Sequence, residues 1–594
     1  VVVLLAAAGL FAASRGDLSQ PAARYLSHEI GRKVSIGQLN LRLGWVTAID
    51  LRDVTVSNIA GGTRPSMITL NRLDAQLRLL SILKGPIFIP SISIKGGNLL
   101  LERRADGRAN WKFQTSGAAP VSAKSNGIDF PTTLKAHFSD LEIDFRASSG
   151  ELLKTAIKDG SVTTPASNAP VTLKATGSYN DIPVDLNADL ASFDTLHRGA
   201  IPFPAKISVT SGPSSLHFNG TFIDPLNVDG ANGKLEFGTS SLADLAHVAG
   251  ISVPQDIPLQ LSGDFVHAGG LWRLSNAGGA LAAQDFKGAL ELDEGASRQP
   301  DAIKVSAAFS NLDTNAILKP KTGESQPAAG VSLMMDPAPG TLVDAQVTAG
   351  HFVYRTILAD DFDIKVKTGP GTLAIDDFAF SIAGGMAKSK IAIADKDDKA
   401  VVDFDGSLTG VDADKAGVLL GWGPLPVDGP VNSHVIGRMI GADMTEARRT
   451  NRIFGVVAMD GGAIDRQVVG MAGTDIRLLF GADDGVRKLH CLLAVINLRD
   501  GKGTIGPVRI KSSAGTIAGN GSYDSVHDSI DLVIGAQSKS WFALDVPVRI
   551  SGPINNFSVR PAFGASRTLN EIGLPDDLPQ ALKDIATANP CLTH

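Results

Sequence analysis

Apolar and polar residues alternate strictly along much of this chain. Val184, Leu186, Ala188 and Leu190 alternate with Pro183, Asp185, Asn187 and Asp189, and Phe362, Ile364 and Val366 alternate with Asp361, Asp363 and Lys365. Successive side chains of a β-strand point to opposite faces, so such runs predict strands with one apolar and one polar face. The pattern starts early, in Leu39–Leu43, Ile49–Val56, Ile87–Ile94 and Asn98–Leu101, and recurs to about residue 560 between Gly, Pro and Asn punctuation. A sheet repeated for so long, with one face apolar, predicts a surface more than an active site. A loose internal repeat supports one reused architecture. Leu274–Ala282, Phe378–Ala387 and Val508–Gly519 each read as a strand, a small-residue turn and a returning strand.

Helical periodicity is rare. Asp17–Ile30 reads as an amphipathic helix with Gly31 as its stop, and Leu77–Lys84 as a helical turn. Ala413–Leu420, Asp443–Phe454 and Asp577–Ala586 have helical composition, and the end beyond them reads as polar. The first thirteen residues, Val1–Ala13, form an apolar run without charge. As a helix they span roughly 20 Å, short of the ~30 Å hydrocarbon core, and predict the exit half of a truncated membrane anchor carried by Val1, Leu4, Leu5, Leu10 and Phe11.

Bulk properties narrow the function classes. At 594 residues the chain exceeds one ordinary core, and its net charge of −6 with dispersed Lys and Arg speaks against a nucleic-acid partner. Its two cysteines, Cys491 and Cys591, are too few for a disulfide scaffold and read as unpaired. The Ser, His and Asp residues of Asp524–Ser529 read as a surface turn, not a triad. Asp395–Asp398 lacks the Gly and Glu of a calcium loop and reads as a hairpin turn. No Walker loop, Gly-rich dinucleotide fingerprint or HExxH spacing occurs, so neither an enzyme nor a cofactor is expected.

One ordered set of residues carries a resemblance. After the apolar run come Ala22–Val34, the strands Ile36–Leu39 and Ile49–Val54, then Pro65-Ser-Met67, Leu73–Leu77, Leu83-Lys-Gly85 and Asp106–Trp111. This order resembles the AsmA family of Gram-negative envelope proteins, and Gly503–Gly521 with Pro547 and Ile550–Pro553 is similar to that family's C-terminal region. The resemblance implies a mainly β chain: an elongated, U-shaped antiparallel groove behind an inner-membrane helix, with its bulk in the periplasm. It also implies phospholipid carried towards the outer membrane in support of outer-membrane integrity. The corresponding division is a truncated anchor at 1–14, an AsmA-like start at 15–113, a linker at 114–133, groove modules at 134–429, a C-terminal AsmA-like region at 430–563 and a polar tail at 564–594. Leu39, Leu41, Leu43, Ile92, Ile94, Val184, Leu186, Phe362, Ile364 and Val366 are the expected groove lining. The expected partners are acyl chains, the inner membrane and outer-membrane or periplasmic proteins. Two other readings stay open: an assembly factor offering sheet edges to outer-membrane proteins, and an extracellular β-helix adhesin. The alternation is also what closed sandwich cores would require.

Overall fold

The computed structural model describes residues 18–592 except 43, 79–87, 103–109, 112–131, 147–151, 199–200, 226–228, 243–256, 296–298, 318–331, 420–424, 426, 466–485, 514, 538–546, 554–557 and 563–571. The chain is mainly β, and its described residues form thirty strands, β1–β30, with a few short helices. It divides into two compact units, residues 1–283 and 284–594.

The first unit is a meander in which each strand pairs with the next. Its strands run from β1 (Val34–Arg42), β2 (Val46–Ser57), β3 (Ser66–Arg78), β4 (Phe88–Glu102), β5 (Thr132–Arg146), β6 (Leu152–Thr163) and β7 (Val171–Tyr179) to β8 (Ile182–Leu190), β9 (Phe203–Ser211), β10 (Ser214–Phe222), β11 (Ala231–Thr239), β12 (Leu259–Ala268) and β13 (Leu271–Leu281). All these pairs are antiparallel except β4–β5, which is parallel. Two helices lie against the sheet. Helix α1 (Ser19–Ile30) ends at Gly31 in the left-handed conformation and buries Ala23 against Val34, Ile36 and Val56. Helix α2 (Phe193–Arg198) buries Phe193 and Leu196 against Val171 and Phe203.

The second unit holds β14 (Gln284–Asp293), β15 (Asp301–Asp313), β16 (Thr341–Tyr354), β17 (Ile357–Gly369), β18 (Thr372–Ile382), β19 (Gly385–Lys396) and β20 (Lys399–Asp412). It continues through β21 (Val427–Asp428), β22 (Pro430–Gly441), β23 (Arg452–Met459), β24 (Gly462–Asp465), β25 (Val486–Arg499), β26 (Lys502–Ser512), β27 (Gly515–Asp524), β28 (Ser529–Gln537), β29 (Val548–Pro553) and β30 (Ser558–Pro561). Only β15–β16 among its described pairs is parallel. Its helices are α3 (Thr314–Ile317), α4 (Ala413–Leu419), α5 (Met444–Arg449) and α6 (Gln580–Ala588). Asp443 caps α5 by accepting the Glu446 amide at 2.8 Å, while the Glu446 carboxylate accepts from the Ala442 amide at 2.8 Å. The first bond satisfies an amide of the first helical turn, and the second ties the residue before the cap back to that turn.

Several expectations change. The helix expected over Asp443–Phe454 stops at Arg449, because Ile453, Phe454, Val456 and Val457 are apolar on both sides of a buried strand, β23. The turn expected at Gly278–Gly279 is strand, part of β13, and the positive φ values fall later, at Ala282 and Ala283. Gly279 is there for clearance: a Cβ would stand 1.9 Å from the Gln260 carbonyl oxygen on β12. The Leu77–Lys84 turn falls mostly outside the described residues, its first two residues ending β3; the anchor residues Val1, Leu4, Leu5, Leu10 and Phe11 and nearly all of the 114–133 linker also lie outside.

The largest correction concerns the cysteines. Cys491 on β25 and Cys591 after α6 form a disulfide across 100 residues, with Cα atoms 5.6 Å apart. Helix α6 is the cause of the approach. Its Leu582 and Ala586, with Leu578, pack on Phe454, Val456, Leu493 and Val495, making a buried core at the chain's C-terminal end. Asp577 adds ion pairs to Arg452 at 3.5 Å and Arg499 at 2.9 Å, and Asn589 donates to the Met459 carbonyl at 3.1 Å. Leu582 is fully buried, so Leu582→Ala leaves a cavity and is expected to destabilise the second unit by about 3 kcal/mol in denaturant unfolding.

Candidate functional site

The strand register turns the alternation of single strands into continuous lateral rows. Directly opposed residues share a face. In the first unit one row runs through Leu39, Leu51, Leu73, Ile94 and Phe138 on β1–β5. It continues by way of Gly160 on β6 to Ala175, Leu186, Val209, Leu216 and Phe237 on β7–β11. A parallel row joins Leu41, Ile49, Ala75, Ile92, Ala136 and Val162, and a third ends at Val184 by way of Leu141, Ile157 and Gly177. Six of the expected lining residues (Leu39, Leu41, Ile92, Ile94, Val184 and Leu186) therefore share one face, although their strands are as far apart in the sheet as β1 and β8. Leu43 lies outside the described residues.

The neighbouring row on the opposite face is Asn40, Asp50, Asp74, Ser93, His137, Ser161, Lys174, Asn187, Ser208 and His217, without one aliphatic side chain. That face is laced by exposed ion pairs: Arg72 reaches Asp50 at 3.0 Å and Asp74 at 2.8 Å, and Lys234 reaches Asp264 at 2.5 Å. In the second unit Arg438 and Asp403 pair at 2.6 Å, and Arg549 pairs with Asp531.

The apolar face is buried beneath the helices and open between them. Val34, Ile36 and Val56, under α1, and Val171 and Phe203, under α2, are less than 9% exposed. The central row from Leu39 and Leu51 to Leu186, Val209, Leu216 and Phe237 is only half-buried. In a closed sandwich a second sheet would cover these side chains as completely as those at the margins. Between β6 and β11 the uncovered face forms a cleft of about 880 Å³ lined by Ile157, Val184, Leu186, Val209, Leu216 and Phe237, with Tyr179, Ser211 and Ser214 also in its wall. Val209, Leu216 and Phe237 were not among the expected lining residues; the alternation in Ala205–Val209 and Leu216–Phe218 is the signal for the first two.

The second unit repeats the arrangement on its own strands. Val305, Ala345, Val366, Ile375, Ile391 and Phe404 form one row, and Ala307, Val347, Ile364 and Phe378 its neighbour. Phe362 opposes Ala349, stacks on Phe352 at 4.1 Å and meets Phe378 edge-on at 6.0 Å. It is buried in this aromatic cluster, whereas Ile364 and Val366 are half-buried. Helix α5, with Leu333, covers the Ala400–Val402 end of β20, and α4 covers the Val411 end. Leu408, between them, is 37% exposed.

Neither chemical candidate assembles a reactive centre. The Ser525 hydroxyl donates to the carbonyls of Gly501 at 3.0 Å and Arg448 at 3.2 Å, and Asp524 accepts the amides of Val526 and His527, as a turn requires. Asp397 and Asp398 sit at positive φ in the β19–β20 turn. Among the described residues no group of three or more His, Cys, Asp or Glu could hold a metal ion, and no helix is long and apolar enough to cross a membrane.

The polar face has a pH signature. Hydrogen bonds from Arg52 to Asp50, from Asn276 and Lys234 to Asp264, and from Arg549 to Asp531 hold these carboxyls below the ordinary aspartate range. A carboxyl with a lowered folded-state pKa stabilises the fold above its unfolded pKa, about 3.9, and loses that contribution as pH falls through the folded value. The unfolding temperature is therefore expected to be insensitive to these groups from pH 5 to 8 and to fall below about pH 4, less steeply in 1 M salt.

The profile of the AsmA family matches residues 2–135, which include β1–β4 and the Leu39, Leu51, Leu73 and Ile94 part of the first apolar row. Over this stretch the chain is similar to the AsmA family. It is also similar to the Escherichia coli (strain K12) protein described as AsmA family protein YhjG, with 24% identity over 245 residues, 38% of this chain. The match spans only 36% of that relative's length. No solved structure matches the chain.

Proposed function

We propose that this chain, similar to the AsmA family over its first strands, is a lipid-carrying envelope protein, anchored in the inner membrane, whose apolar sheet faces act as grooves for phospholipid acyl chains on the way to the outer membrane. The observation that carries the reading is the half-buried central row from Leu39 to Phe237, apolar on one face and wholly polar on the other. An apolar surface this continuous is rare on a soluble protein unless something covers it. Each buried CH₂ of an acyl chain would contribute about 0.8 kcal/mol, and aliphatic walls would hold chains of different length without selecting among them. Head groups would stay in water. The buried Cys491–Cys591 disulfide supports an oxidising compartment such as the periplasm, since cytosolic thiols are kept reduced. The reading assigns no reaction and no cofactor to the chain.

A photoreactive amino acid tests the reading in cells. Placed at Leu216, on the apolar face, it is expected to yield lipid adducts; placed at His217, on the polar face, it is expected to yield none. Equal labelling at both positions, or none at Leu216, contradicts the reading.

A further inference from the structure

Trp45 stands out among the large apolar residues. It is 84% exposed, more than any other among the described residues, and Val46 beside it is 41% exposed. Both sit at the tip of the β1–β2 hairpin, whose last paired residues are Arg42 and Ala48. The margin around this tip is basic. Val46 opposes Arg78 at the end of β3, the Arg78 guanidinium lies 4.5 Å over the Phe88 ring at the start of β4, and Lys135 on β5 opposes Ser91. Arg42, Arg78 and Lys135 are all exposed, and the described residues of 42–48, 75–78, 88–92 and 132–137 include no Asp or Glu.

The chain also enters the fold at this margin. Leu18, immediately before α1, lines one cleft of about 1020 Å³ together with Leu41, Arg42, Ala48 and Lys135; the carboxylates in its wall, Asp50 and Asp74, are paired with Arg72. The apolar run Val1–Ala13 ends five residues before Leu18. A run lying in a bilayer would bring the hairpin tip to the same surface. Indole prefers the membrane–water interface, where its ring is shielded and its N–H stays hydrated, and Lys and Arg are attracted to anionic head groups there.

We propose that the β1–β2 tip is a second membrane contact: Trp45 and Val46 enter the interfacial layer of a bilayer, and Arg42, Arg78 and Lys135 meet its anionic head groups. The contact would fix the basic margin of the first strands against the lipid surface from which the apolar face is loaded. It rests on the reading of a membrane-anchored carrier, yet it concerns residues outside the apolar rows, so the two can fail separately.

The test uses the full chain in vesicles of phosphatidylcholine, with or without phosphatidylglycerol, carrying bromine near the top of the acyl chains. The Trp45 signal is the emission of the wild type minus that of Trp45→Phe. It is expected to be quenched at least threefold in vesicles with phosphatidylglycerol. Arg42→Gln is expected to shift the ratio of engaged to free tip about fivefold towards free. An unquenched Trp45 signal overturns the contact. Equal quenching in neutral vesicles, unmoved by Arg42→Gln, overturns the anionic head-group assignment. Lipid retained by the protein after extraction is read in parallel: its loss alongside a quenched Trp45 defeats the carrier reading and leaves the tip contact standing.

Discussion

Removing the disulfide is expected to cost the second unit more than any other single change. Cys491→Ser with Cys591→Ser, or reduction of the native bond, frees a loop closed across 100 residues, for which chain entropy alone predicts about 4–5 kcal/mol. In a unit of this size that lowers the unfolding temperature by roughly 7 °C. The local consequence is more specific. Helix α6 has only nine residues, and without the crosslink its hold is the packing of Leu578, Leu582 and Ala586 on β23 and β25 and the Asp577 ion pairs. Limited proteolysis should then cut after residue 563 well before the sheet itself is attacked. If oxidised and reduced proteins resist heat and protease equally, the crosslink carries no stability and the tail is held by packing alone.

Leu186→Glu is expected to empty the first unit of lipid with little loss of fold. Leu186 is half-buried, lies between Ala175 and Val209 in the central row, and lines the cleft between β6 and β11. A carboxylate there can reach water when the face is bare. Under an acyl chain it would be desolvated without a partner, at a cost of several kcal/mol. Bound phospholipid should fall at least tenfold, while the unfolding temperature changes by a few degrees at most. Asn187→Glu, on the polar face one residue away, should leave the lipid load unchanged. Phe362→Glu is the less informative variant in the second unit, because Phe362 is buried between Phe352 and Phe378 and its loss would disturb the core as well.

What the sequence made legible follows from the range of the forces involved. The strict alternation of Val184–Leu190 and Phe362–Val366 is a local consequence of the pleat, so strands and their two faces could be read residue by residue. The rows could not. That Leu39 lies in line with Leu186 and Phe237 depends on the register of many successive pairings, which no single strand encodes. Gly278–Gly279 resembled a turn because glycine serves tight turns and close strand contacts alike. Cys491 and Cys591 gave no spacing signal, since their approach depends on a helix packing on a sheet. The covering of the face at its margins was also hidden: short helices such as α2 and α5 have too few residues to show on which side of a sheet they fall.

Native mass spectrometry of the full chain released gently from envelopes reads directly whether the open apolar face carries lipid. Phospholipid adducts are expected on the wild type, largely lost in Leu186→Glu and retained in Asn187→Glu. A wild-type protein that flies without lipid, or a load that Leu186→Glu leaves intact, would contradict lipid carriage by this face.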